Sequence, residues 1–346
     1  MSTTAELPLA RWWRPRVDGR IECELCPRAC KLGEGQDGFC FSRGNRGGAM
    51  RLLAHGRSSG FAVDPIEKKP LAQFLPGSRV LSFGTVGCNL ACRYCQNWRI
   101  SRARTGALAT EVVAPGQIAA LAAEQRCASV AFTYNDPVVF AEQALEVAAA
   151  CRAAGLRTVA VTAGYIWLAA RAEFFAGMDA ANVDLKAFSD EFYRRQCGAR
   201  LGAVLDTLAW LHRETRVWLE VTTLLIPGLN DSEAELDRAS DWFVEHLGPD
   251  VPWHFSAFHP DYLMLERAVT PLATLTRARG IARSKGLRYV YTGNVRDSDG
   301  ERTWCPHCGR CVIERDGYRL HGCFVRGGRC AFCDGAIAGV WADGPA

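Results

Sequence analysis

A chain of 346 residues, 49% hydrophobic and 23% charged, has apolar material for one large α/β domain with small appendages or for two ordinary domains. Its net charge of +4, with no long Lys/Arg block, does not point to nucleic acid. No run of about 18 consecutive apolar residues occurs, and Met1 to Leu9 lacks both a basic start and an apolar centre. Neither a membrane span nor a signal peptide is expected, and the protein is expected to be cytoplasmic.

In chain order, the first feature is Cys23-x2-Cys26-x3-Cys30-x9-Cys40, interleaved with Pro27, Gly33, Gly35 and Gly38, which permit the turns that would converge four thiolates. Short apolar runs then alternate with Ala/Leu-rich stretches. Strands are expected at Arg79–Thr85, Ser129–Tyr134, Arg157–Thr162, Ala181–Leu185, Val217–Leu225, Trp253–Phe258 and Leu287–Tyr291. Helical patterns fill Val138–Ala154, Leu201–Arg213, Ser232–Leu247 and Pro271–Lys285, with Asp231 or Ser232 as a cap. Strict βα alternation implies parallel strands with right-handed crossovers, hence a partial (β/α)6-type barrel with functional groups on its carboxyl rim. The expected division is a Cys-rich lobe and linker over 1–75, the barrel over 76–298 and a second Cys-rich lobe over 299–346.

Sixteen cysteines in a reducing compartment are better read as metal ligands than as disulfides. Cys127, Cys151 and Cys197 stand alone and are expected to be small buried hydrophobes. Cys88-x3-Cys92-x2-Cys95 follows the first expected barrel strand. No Cys or His follows Cys95 within about 30 residues to complete a zinc tetrahedron, so three thiolates on a [4Fe-4S] cluster are expected, one iron staying open. Near the C-terminus Cys305, Cys308, Cys330 and Cys333 form two CxxC knuckles around a β-type insert, Val312–Leu320, and read as a zinc ribbon. Cys311 and Cys323 leave an auxiliary iron–sulfur cluster open there. Zinc is the first reading for Cys23, Cys26, Cys30 and Cys40 as well, with an auxiliary cluster as the alternative. Spacing does not choose between them.

The segment GCNLACRYCQNWRIS, with Tyr94 before the last cysteine, carries the signature of the radical S-adenosylmethionine (SAM) superfamily. CELCPRACKLGEGQDGFC, DPIEKKPLAQFLPGS, FTYNDP, VTAGY, NVDLKAF, FYRRQCG, WLEVTTLLIPGLNDS, PWHFSAFHPDY, YVYTGNV and the terminal CPHCG and CAFCDGAIAGVW follow in order. Together they resemble the radical SAM component of the AmmeMemoRadiSam system, related to pyruvate formate-lyase activating enzymes. The resemblance implies reductive cleavage of SAM to a 5′-deoxyadenosyl radical that takes hydrogen from a substrate. It implies Asn135 and Asp136 at the motif that holds the methionyl amino group, although relatives often carry Glu at 136. Thr162, Asp184 and Lys186 match polar positions facing SAM, and Ala163 stands where Asn is common. Leu225 to Asn230 matches a stretch packed on adenine, and His254 a histidine near the ribose. A flavodoxin or ferredoxin donor and Memo-like and AMMECR-type partners are implied.

Two other readings stay in play. One is a glycyl-radical-enzyme activase, against whose cluster-bearing subgroup stands the absence of Cys in Ser101–Gln117. The other is a zinc-ribbon nucleic-acid-binding or RNA-modifying protein, suggested by Arg310, Arg315, Arg319, Arg326 and Arg329, but Glu314, Asp316 and Asp334 intersperse them. Glu67-Lys68-Lys69 and Arg194-Arg195 are expected on solvated faces.

Overall fold

The computed structural model describes residues 7–108 and 111–342. Met1 to Glu6, part of the stretch read above for a leader, lies outside the described residues. Eight strands form the central sheet: β1 Phe61–Pro65, β2 Arg79–Phe83, β3 Ser129–Phe132, β4 Arg157–Thr162, β5 Ala180–Asp184, β6 Trp218–Leu225, β7 Trp253–Ala257 and β8 Val290–Gly293. They lie side by side in strict chain order. Strands β2 to β8 are parallel, and β1 joins β2 antiparallel at the edge. The fold is therefore α/β with a mostly parallel sheet.

A helix carries each parallel step: α1 Pro115–Glu124, α2 Ala141–Ala153, α3 Leu168–Ala176, α4 Leu201–Glu214, α5 Glu233–Leu247 and α6 Leu272–Ser284. Right-handed crossovers that always step the same way put all six helices on one face of the sheet. The strands show it by their alternation. Leu81, Val130, Ala160 and Ala181 belong to the main core. Their neighbours Val80, Ala131, Val159 and Ala180 pack instead with Ile66, Leu71 and Phe74. Residues 66–75 thus plug part of the face without helices, and the rest of that face is left for a cavity.

Most expected elements are found within a few residues. The last strand lies further on, at Val290–Gly293 rather than Leu287–Tyr291. Ser232 is the cap of α5, its Oγ accepting from the Glu235 amide at 3.3 Å, while Asp231 accepts from the Gly228 amide at 2.8 Å. Strand β1, α1 and α3 fell outside the expected set. β1 ends in Pro65, tolerated because an edge strand needs no complete ladder. It also carries the sheet back into the segment assigned to the N-terminal lobe.

Small antiparallel pieces flank the sheet. Trp13–Pro15, Ile21–Cys23 and Lys31–Leu32 form one, and Arg43–Arg46 pairs with Ala49–Leu52. Buried Arg43 reaches Glu142 of α2 at 2.8 Å and ties this N-terminal region to the helix layer. At the other end β9 Cys311–Asp316 and β10 Arg319–Cys323 make a hairpin. Among the described residues no helix is long and apolar enough to cross a membrane.

Candidate active site

The parallel strands end around one cavity with an empty volume of about 1510 Å3, its mouth included. Its wall contains Cys88, Cys92 and Cys95 together with Asn135, Asp136, Thr162, Asp184, Lys186 and His254, nine expected positions brought to one place from strands far apart in sequence.

The cysteine loop is fixed from the strand beside it. Just beyond β3, Asn135 donates through Nδ2 to the Gly87 carbonyl at 2.7 Å and accepts the Thr85 amide on Oδ1 at 3.0 Å. Asp136 links two strand ends. Its Oδ1 accepts from the Val138 amide at 3.0 Å and the Thr162 hydroxyl at 2.9 Å, and Oδ2 accepts from the Ala163 amide at 3.0 Å. Burial raises the Asp136 pKa, opposed by those donors and by Lys186. At the end of β5, Lys186 Nζ lies 2.7 Å from Asp184. Burial alone would lower the ammonium pKa, but Asp184 and the nearby thiols Cys92 and Cys197 outweigh it and hold the pKa above its ordinary value. The cavity thus pairs a retained cation with a carboxylate that still has acceptor capacity, a surface suited to a zwitterionic ligand.

Deeper, Glu220 of β6 is fully buried. Its carboxylate accepts the amides of Ala72 and Gln73, each at 2.8 Å, and the Trp218 indole at 2.9 Å. His254 Nε2 approaches it to 2.6 Å, and the imidazole stacks on Tyr291 at 4.9 Å. Glu220 therefore closes the cavity floor by seating residues 70–75. Arg315 of the C-terminal hairpin reaches the same floor, donating to the Ala72 carbonyl and, at 3.0 Å, to Thr303 Oγ1. Arg315, Gly317 and Tyr318 line the cavity beside Glu67 and Lys68.

Several expectations are corrected here. Glu67 and Lys69 are buried, not solvated: Lys69 Nζ pairs with Asp64 at 2.7 Å, and Glu67 accepts from the Gly77 amide at 2.8 Å. Arg315 belongs to the interior, so the basic face of the hairpin loses a member, and Arg329 is paired with Asp334 at 2.8 Å. The stretch Leu225 to Asn230 does not line the cavity. Leu225 and Ile226 are buried in the core, and the Asn230 amide is used on the carbonyls of Lys186 and Leu224 at 2.8 and 2.9 Å. Arg194 and Arg195 are exposed and paired with Asp190 and Glu191, as a solvated helix face would have them.

All sixteen cysteines are unpaired by disulfides. Cys127, Cys151 and Cys197 are buried, but the Cys197 thiol also meets the Tyr94 hydroxyl at 3.2 Å behind the triplet. Burial pushes the Cys88 and Cys95 thiols upward, so their thiolates need a cation to hold them. The donor set fits an iron–sulfur cluster. Three sulfurs face one cavity, and among the described residues they do not draw together within 4.8 Å as ligands of a single ion would. Cys305, Cys308, Cys330 and Cys333 do draw together, all within 4.8 Å, with Cys305–Cys333 at 3.6 Å and Cys308–Cys330 at 3.8 Å. Four thiolates around one ion at about 2.3 Å stand about 3.8 Å apart.

The fold and site define an α/β protein with three thiols gathered at one cavity beyond the carboxyl ends of parallel strands. A sequence profile of the Radical SAM superfamily matches residues 83–239. An uncharacterized protein of Methanocaldococcus jannaschii is 38% identical over 308 residues, covering 88% of this chain and 91% of that relative. SuiB of Streptococcus suis, solved bound to S-adenosylmethionine, is similar with a TM-score of 0.50 and 13% identity, over 66% of this chain and 53% of SuiB. A domain of a pyruvate-formate lyase-activating enzyme from Bacteroides vulgatus gives a TM-score of 0.43 at 14% identity, over 48% of this chain and 99% of that domain. At 13% identity the SuiB structure shows likeness of fold alone. The chain contains a Radical SAM superfamily domain and is an enzyme of that class.

Proposed function

We propose that this enzyme cleaves SAM reductively at a [4Fe-4S] cluster held by Cys88, Cys92 and Cys95, as the radical SAM component of an AmmeMemoRadiSam system. The observation that carries the reading is the single cavity into which the three thiols, Asp136 and Lys186 converge. Bound there, the cluster would supply one electron to the SAM sulfonium, breaking a C–S bond to leave methionine and a 5′-deoxyadenosyl radical.

The chain's own residues do the positioning. Asn135 fixes the loop that carries Cys88. Asp136 offers its remaining lone pairs to the methionyl ammonium, with Thr162 and the Ala163 amide holding the carboxylate in place. Lys186, kept protonated by Asp184, faces the methionyl carboxylate. His254, held by Glu220 and Tyr291, stands on the ribose side. Arg315 closes the cavity floor and Tyr318 lines the same wall, and together they limit water entry, which protects a radical.

In this reading the sheet is a partial barrel spanning residues 76–298, extended by the edge strand β1. Residues 1–75 form a Cys-rich lobe, and residues 299–346 a zinc ribbon with Zn2+ on Cys305, Cys308, Cys330 and Cys333. The enzyme works in the cytoplasm, where its cysteines stay reduced, with a flavodoxin or ferredoxin as donor and Memo-like and AMMECR-type proteins as partners.

The test is EPR on anaerobically reconstituted, dithionite-reduced protein, beside Cys88→Ala/Cys92→Ala/Cys95→Ala. A [4Fe-4S] signal that changes on adding SAM, absent from the triple variant, with 5′-deoxyadenosine formed only by wild type, is expected. Wild type with no SAM-responsive signal and no 5′-deoxyadenosine overturns the reading.

A further inference from the structure

The two four-cysteine groups of this chain look alike in sequence and differ in space. The C-terminal four close to the sulfur spacing of a single tetrahedral ion. Cys23, Cys26, Cys30 and Cys40 do not: among the described residues no three of them come mutually within 4.8 Å. They stand instead around a small, partly open cavity whose other walls include Leu25, Leu32, Met50 and Val139 and whose accessible surface is apolar. A single ion draws its thiolates together. A cube of iron and sulfide, bound by one thiolate at each iron, holds four sulfurs apart.

The position of this cavity is equally informative, for it backs directly onto the loop of the catalytic triplet. Asn89, next to Cys88, is part of its wall. Arg28, another wall residue, donates to the carbonyls of Asn89 and Gly198, the latter at 2.6 Å. Ser42 Oγ donates to the Val86 carbonyl at 2.7 Å. The Cys40 carbonyl packs on Gly87 so closely that a Cβ there would lie 1.8 Å from it. Buried Arg43, also in the wall, is paired with Glu142 of the helix layer and fixes this side of the cavity.

We propose that Cys23, Cys26, Cys30 and Cys40 hold a second [4Fe-4S] cluster, not zinc, and that it passes electrons to the cluster of the triplet. Each turnover moves one electron. A low-potential one-electron carrier protein is oxidised by one electron as the N-terminal cluster is reduced by one. The N-terminal cluster is reoxidised as the triplet's cluster is reduced, and the SAM sulfonium consumes that electron when its C–S bond breaks. The site stands on its own geometry; the relay rests on the function proposed above.

The experiment is metal, sulfide and EPR analysis of the full chain after anaerobic reconstitution. Wild type is expected to hold about eight irons, and Cys88→Ala/Cys92→Ala/Cys95→Ala about four with equal sulfide, with a reduced [4Fe-4S] signal that SAM does not alter. Adding Cys305→Ser/Cys308→Ser to the triple variant should leave that iron in place. Adding Cys26→Ser/Cys30→Ser instead should remove it, circular dichroism confirming the fold. A triple variant that holds zinc at two per chain and no iron overturns the proposal, as does iron lost with the C-terminal substitutions. For the relay, Cys26→Ser/Cys30→Ser with an intact triplet should be reduced by dithionite as wild type is but at least tenfold more slowly by reduced flavodoxin; equal rates overturn the relay. Loss of the SAM-responsive signal in wild type, with iron kept in the triple variant, sinks the function proposed for the triplet and leaves the N-terminal cluster standing.

Discussion

Asp136 and Thr162, 26 positions apart, meet at the carboxyl ends of neighbouring parallel strands, where the Thr162 hydroxyl donates to Asp136 Oδ1 at 2.9 Å. The same carboxylate accepts two backbone amides. A side chain so held keeps its orientation without help from a ligand, and it lines the cavity of the cysteine triplet. Replacing Asp136 with Ala should weaken SAM binding by tenfold or more, because a hydrogen bond to a charged group contributes about 1.5–3 kcal/mol. Titrating the SAM-induced change in the reduced EPR signal measures it, and an unchanged midpoint contradicts the assigned contact.

Gly87 sits at a φ of +87° against the Cys40 carbonyl. Gly87→Ala adds a methyl group where backbone already stands and keeps a left-handed conformation that Ala disfavours. A loss of at least ~2 kcal/mol of stability is expected, together with reduced iron incorporation. Thermal unfolding and iron content check this, and wild-type values in both would show that the contact yields freely.

Opening the C-terminal four-thiol site, proposed above to hold zinc, should act on the cavity as well as on the lobe. The hairpin whose turn carries Tyr318 is held at its base by the four-thiol site, and Arg315 from its first strand reaches the cavity floor. Cys308→Ser/Cys333→Ser is expected to lose one zinc per chain, because a four-thiolate site cannot close with two ligands removed. The hairpin should become protease-sensitive, and 5′-deoxyadenosine formation should fall several-fold. Retained zinc, or full activity with the hairpin cleaved, contradicts this coupling.

Glu67 should make stability pH-dependent. Burial raises its pKa from the ordinary 4.5, with Arg315 and the Gly77 amide opposing. A carboxyl whose folded pKa is raised contributes stability that is fully present below 4.5 and lost as pH rises through the folded value. Wild type should therefore lose stability across that window, and Glu67→Gln should lose less. Melting temperatures of both proteins at matched pH steps measure the difference; parallel curves would exclude Glu67 as the source.

The βα alternation and the three-thiol motif were legible in the sequence because both are short-range. Strand apolarity, helix caps and Cys spacing are properties of neighbours along the chain, and right-handed crossovers convert them into a parallel sheet with its functional groups on one rim. Resemblance placed Asn135, Asp136, Thr162, Asp184, Lys186 and His254, and all six line the cavity. Tertiary structure alone decided that Glu67 and Arg315, taken for solvated charges, close the cavity floor from segments 248 positions apart, since a charge buried by a distant partner looks locally like a surface charge. It also separated the two four-cysteine groups. Spacing along the chain names the donors, but how far apart their sulfurs stand depends on the turns and apolar side chains packed between them, and that distance distinguishes a single ion from a cluster.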